Sequence, residues 1–218
     1  MSKIKIKNFG PIKEGYKGND DWLDIEKVTV FIGNQGSGKS TVAKLISTFT
    51  WLEKALYKGD IDEKDVVEKN YFKDTYCQYH RLQNYFWQTI EPAPKNHEDY
   101  KNFMKTQSKP DSEIHFKGSK YDFHYHEYQL TITPIESNLN YSVPKIMYVP
   151  AERNFLSAVD KPEKVEGLPR PLYEFLDEYD RSLEELSESI DLPIGKLKLF
   201  YREEYETTHI IGDNYSIR

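Results

Sequence analysis

"VTVFIGNQGSGKSTVAKLI", Val28–Ile46, carries the reading of this chain. Its middle, Gly33–Ser40, runs Gly, four residues, then Gly-Lys-Ser, the spacing of a phosphate-binding loop. Gly33, Gly36 and Gly38 permit backbone angles that side chains would forbid. Successive amides of Gly33, Asn34, Gln35, Gly36, Ser37 and Gly38 can then turn inward as an anion nest. A helix opening near Lys39 adds the positive end of its dipole. In this pattern Lys39 places a point charge at the β- and γ-phosphates, and Ser40 offers its hydroxyl to Mg²⁺. Thr41, next in line, is expected to reach the α-phosphate. The competing reading is a glycine turn that merely starts a helix. The flanks favour the loop: Val28, Val30, Phe31 and Ile32 make an apolar run into the glycines, as a buried central strand would. Val42, Leu45, Ile46, Phe49, Leu52 and Leu56 follow at helical spacing, with Gly59 as the stop.

Upstream, "KIKIKNF" alternates Ile4 and Ile6 with Lys3, Lys5 and Lys7, a half-exposed strand, and "GPIKEG" turns the chain. Downstream, apolar and aromatic residues from Asp62 to Trp87 predict a second helical region, broken by "EPAP" at Glu91–Pro94. From Glu113 the period becomes two, predicting a meander with Gly118 and Ser119 at a turn. "VPKIMYVP" predicts a further strand ended by Pro150. "PLYEFLDEYDRSLEELSESI" reads as amphipathic helix, "IGKLKLFYREEYE" as an extension of the helical pattern, and "THIIGDNYSIR" as a hairpin around Asp213-Asn214.

The composition bounds the rest. The 218 residues suit one large domain or a domain with an insertion. A net charge of −6 gives no global pull toward nucleic acid or anionic membrane. Cys77 is the one cysteine, so no intramolecular disulfide forms. No signal peptide opens the sequence and no stretch approaches the roughly 18 apolar residues of a membrane span. A cytoplasmic chain with no membrane partner is the expectation.

"IKIKNFGPI" followed by "VTVFIGNQGSGKSTVAKLI" resembles the N-terminal lobe of ABC-type and structural-maintenance-of-chromosomes-like P-loop ATPases. Within these the chain looks most like the AAA-labelled family grouped with the overcoming-lysogenization-defect proteins. "YVPAERN", Tyr148–Asn154, is similar to a motif of the same group. The resemblance covers Lys3–Ser47 and Ile146–Leu156. It implies an α/β fold: an ABC ATPase-like core parallel sheet flanked by helices, with an antiparallel β subdomain. One P-loop ATPase domain would then span 1–218, incomplete at its C-terminus, with a helical insertion over 60–112. The resemblance further implies Mg²⁺ and ATP as ligands, and a homodimer or ATPase partner that closes over the nucleotide. A role in phage defence or DNA repair follows from it, with an effector or nuclease as partner and DNA as a contact.

Hydrolysis needs groups that hold Mg²⁺ from across the site and orient water. The family pattern puts an Asp-Glu pair after an apolar strand. "FLDEYD" mimics it, but Leu172, Phe175, Leu176, Tyr179, Leu183 and Leu186 repeat at helical spacing. Where the family carries a Gln that senses Mg²⁺ and water, this chain has Glu152 and Arg153, candidates for the Mg²⁺ shell and a phosphate, or a surface salt bridge. The chain alone is therefore expected to hydrolyse ATP poorly or not at all. Two rivals stay open: a small-molecule or nucleoside kinase, and a module that uses ATP only to switch partner docking.

Weaker signals are weighed the same way. His124 and His126, two apart on an expected strand, would face one side, with His115 near in sequence; the three could ligate a metal, but imidazole packing on a Tyr-rich face is the favoured reading. Tyr76, Tyr79, Tyr85, Phe86 and Trp87 could stack on bases, yet read better as helical core. Lys5, Lys7, Lys13 and Lys17 form only a diffuse basic edge.

Overall fold

The computed structural model of the chain describes residues 2–87, 112–136, 140–152, 154, 165–186, 188–192, 197–202, 207–212 and 215–217. They fall into two units, Met1–Tyr148 and Val149–Arg218.

In the first unit, the alternating opening forms β1 (Ser2–Lys7), which buries Ile4 and Ile6 and leaves its lysines on the other face. The meander from Glu113 supplies β3 (Glu113–Lys117), β4 (Tyr121–His126) and β5 (Gln129–Pro134). With β2 (Leu23–Ile25) they make a five-stranded sheet of order β2-β1-β3-β4-β5. Every pairing is antiparallel, and the register sets Ile4 opposite Phe116 and Phe116 opposite Phe123. One face is consequently apolar, with Ile4, Ile6, Ile114, Phe116, Phe123, Tyr125 and Leu130 all buried.

Helix α1 (Lys39–Lys58) covers that face. Leu45, Phe49 and Leu52 recur at helical spacing and are fully buried. The Phe49 ring lies 5.2 Å from Phe116 and nearly parallel to it, 5.6 Å from Phe123 and 5.1 Å from Phe72. Helix and sheet are also joined through a buried carboxyl group. Glu53 is 3% exposed, and its Oε1 accepts the backbone N–H groups of Lys120 (2.7 Å) and Tyr121 (3.3 Å) at the β3–β4 turn. The helix stops at Gly59, as its spacing predicts.

Three expectations fail here. Residues 62–87 are not one helix. They form α2 (Glu63–Val66), a π-helical turn at Phe72–Tyr76 and α3 (Cys77–Tyr79), with Asn70 and Arg81 at positive φ between and after them. Val66, Phe72, Cys77, Leu82 and Phe86 are nonetheless buried. Their intervals of six, five, five and four residues suit successive short turns on one core rather than one helical stripe. The part of the proposed insertion from 88 to 111 lies outside the described residues.

Val28–Ile32 is not a buried strand. It forms no ladder, and Val28, Val30 and Ile32 are 78%, 73% and 93% exposed, while Thr29 and Phe31 are half-buried. The period is that of a strand, but no neighbour among the described residues supplies its hydrogen bonds. "VPKIMYVP" repeats the case: residues 140–150 contain no strand, and Val143 and Met147 are exposed.

The second unit holds α4 (Arg170–Glu185) and a four-stranded antiparallel sheet, β6 (Ile190–Asp191), β7 (Lys198–Arg202), β8 (Thr207–Gly212) and β9 (Tyr215–Ile217), in that order. "FLDEYD" is helical as its spacing requires, and Asp177 and Glu178 pair with Arg181. Residues 198–202 form a strand instead of the expected helix, because Lys-Leu-Phe-Tyr-Arg finds a full partner in Thr207–Ile211. Gly212 pairs with Tyr215, bracketing the hairpin read at Asp213-Asn214.

Candidate phosphate-binding site

The loop lies where the chain enters α1. Gly38 is the N-cap, at φ 92°, and Gly36 stands at φ 77°. Gly38 is required twice over. Its backbone angle is strained for any L side chain, and a β-carbon there would lie 2.6 Å from Ile12 Cγ1. The Ser37 N–H donates to the Asn34 carbonyl at 3.3 Å, and the Val42 N–H closes the first helical turn on the Gly38 carbonyl at 2.9 Å. Residues 33–37 and Ser40 are exposed. Thr41, expected beside the α-phosphate, is only 5% exposed.

Lys39 decides the electrostatics. Its Nζ donates to the carbonyls of Gly33 (2.8 Å) and Asn34 (2.6 Å) and approaches Ser37 Oγ at 3.5 Å. Its hydrogen bonds among the described residues thus stay within the loop. The ammonium is centred over the glycines by neutral acceptors, which a charged oxygen can displace.

Beside the loop opens a cavity of about 610 Å³. Gly33, Ser37 and Lys39 form one wall, and Tyr16, Trp22 and Phe31 bring aromatic surface to it. Two carboxylates line it, and both are engaged. Asp21 pairs with Lys7 (3.2 Å) and Lys5 (3.4 Å), and the Lys7 ammonium chiefly holds its carboxyl below the usual carboxylate range. Asp24 accepts from Asn19 Nδ2 at 2.8 Å. The basic edge is thereby neutralised in part, Lys17 also pairing with Glu14.

The other candidates lie elsewhere in the sequence. Glu152 is exposed and belongs to the second unit; Arg153 lies outside the described residues. His115, His124 and His126 form a row on the outer sheet face, with ring centroids 4.8 Å and 6.0 Å apart. Each imidazole meets a carboxylate: Asp122, Glu113 and Glu127 respectively. Trp22 closes the row against His115 at 4.7 Å, under the ammonium of Lys3. Among the described residues no three such groups are arranged to hold a metal ion. Of the aromatic run, Phe86 is buried, while Tyr76 and Tyr85 pack at the margin of the core, on several turns rather than one helix.

Sequence reasoning missed the cavity and the contact of Ile12 with Gly38. The only local signal for the latter was Gly10-Pro11, a turn dipeptide whose destination a sequence does not state. Compared with known proteins, the chain matches no protein-family model, no curated protein and no solved structure.

Proposed function

We propose that Gly33–Thr41 binds the phosphates of a nucleoside triphosphate, ATP with Mg²⁺, as the first lobe of an ABC-like P-loop ATPase. The placement of Lys39 carries this reading: a cation held, among the described residues, by the carbonyls and hydroxyl of an exposed glycine loop, at the N-terminus of a 20-residue helix. Phosphate oxygens would take over those contacts and gain the loop amides. Ser40 is exposed beside it and suited to Mg²⁺. The aromatic cavity offers room for the nucleoside.

The site favours holding over cutting. Among the described residues, the two carboxylates lining the cavity already serve Lys5, Lys7 and Asn19, which makes each a poorer group to orient water. A nucleotide-switched module, or an ATPase completed by a second copy or partner, fits that state better than a self-sufficient enzyme. Service in phage defence or DNA repair rests on the family resemblance alone. Titration with Mg²⁺-ATP, ADP and AMP tests the reading. Affinity should fall with each phosphate removed, and equal affinities for ATP and AMP would overturn it. No helix among the described residues is long and apolar enough to cross a membrane.

A further inference from the structure

The turn after β1 is clamped from both sides. Phe9 and Ile12 exchange two backbone hydrogen bonds, of 2.8 and 2.9 Å, and the Asn8 N–H donates to Lys13 at 2.8 Å. On one side this tip meets the phosphate loop. Ile12 and Pro11 lie against the Gly38 Cα, so that a β-carbon there would stand 2.6 Å from Ile12 Cγ1 and 3.5 Å from Pro11 Cγ. The residue where the loop becomes helix therefore rests on Ile12.

On the other side the tip is tied to residues 85–87. The Gly10 N–H donates to the Tyr85 carbonyl at 2.7 Å, and Trp87 Nε1 donates to the Gly10 carbonyl at 2.9 Å. Gly10 stands at φ 52° against the Tyr85 ring, a place no side chain fits. Ser112, fully buried, accepts the Trp87 N–H at 2.6 Å and donates to the Asn8 carbonyl. Phe9, also fully buried, meets Phe86 edge-on at 4.9 Å.

We propose that Tyr85–Trp87 is a strap that sets the phosphate loop through Gly10 and Ile12, so that the hold of these residues on the turn tunes phosphate affinity at Gly33–Thr41. The tuning of affinity rests on the nucleotide reading above. An anion nest works only while its amides are aimed, and small displacements of positioning groups cost binding. Trp87 and Ile12 are positioning residues: neither carries charge to the loop, and Trp87 is not among the residues lining the cavity beside it.

Trp87→Phe keeps an aromatic ring and removes the indole donor. Ile12→Ala removes the pad and leaves the strap, and Ile12→Val is the conservative control. Amide hydrogen exchange without nucleotide is read over residues 38–45 and, as a reference, over β4–β5. Trp87→Phe and Ile12→Ala should each speed exchange at 38–45 about fivefold or more, with β4–β5 unchanged. Both should weaken Mg²⁺-ATP binding about five- to tenfold, with Ile12→Val close to wild type. Wild-type exchange at 38–45 in both folded variants overturns the strap. Wild-type protein that binds no Mg²⁺-ATP overturns the nucleotide reading and with it the tuning of affinity, while the exchange result still decides the mechanical link.

Discussion

Two apolar stretches of the first unit meet opposite fates. β1 and the β3–β5 meander pair along their length and press Ile4, Phe116 and Phe123 against α1. Val28–Ile32 is more apolar, enters the candidate phosphate loop directly, and leaves Val28, Val30 and Ile32 largely exposed. The difference is one of partners, not propensity. A strand's backbone groups must be satisfied by a neighbour, and apolar content cannot supply one. α1 shows the contrast from the other side: a helix closes its own hydrogen bonds, so it forms wherever its apolar stripe finds a face.

The largest expected effect breaks the paired region. Phe49→Ala removes a ring in contact with Phe72, Phe116 and Phe123, and should cost about 3–5 kcal/mol in denaturant unfolding. A loss below about 1 kcal/mol would mean the helix–sheet core is not the centre of stability.

Next comes a test of how dry the packed side is. His80 is 2% exposed, lies 4.5 Å from Tyr79 and 4.6 Å from Tyr148, and its carbonyl accepts from Lys44 Nζ on α1. Burial, with Lys44 adding to it, pushes its pKa down to about 4. The unfolded chain takes up this proton near pH 6.5, so the folded state binds fewer protons between those values. The contribution is therefore complete above about pH 6.5, declines as pH falls, and is gone below about pH 4, a change of order 3 kcal/mol. In His80→Phe this component of the stability–pH curve should vanish. A wild-type and variant difference that stays flat from pH 7 to 4 would place His80 in water.

The smallest effect sharpens the other half of the comparison. Val30→Thr, at a site 73% exposed, should change stability by no more than about 0.5 kcal/mol. A cost above about 2 kcal/mol would show that the segment is covered in solution.

The same contrast explains what could be read from the sequence. β1, α1 with its stop at Gly59, the meander and the pairing of β8 with β9 are local signals, each a period or a turn residue in a short window. The candidate phosphate loop stands out because the pattern that proposes it, Gly33, Gly36, Gly38 and Lys39, lies within one short window. Residues 62–87 misled because burial on short turns scatters apolar residues as a ragged helix would. Residues 198–202 misled because a five-residue run suits either period until its partner is known. Ile12 against Gly38, and Trp87 on Gly10, are contacts between distant positions that no window contains.

Everything proposed for the site converges on one ammonium over one loop. Binding of Mg²⁺-ATP to the wild-type chain and to Lys39→Ala, measured by titration calorimetry with both shown to be folded, tests that claim most directly. The account predicts saturable binding by wild type and a loss of affinity of about tenfold or more in Lys39→Ala. Indistinguishable affinities, or no binding by wild type, would contradict it.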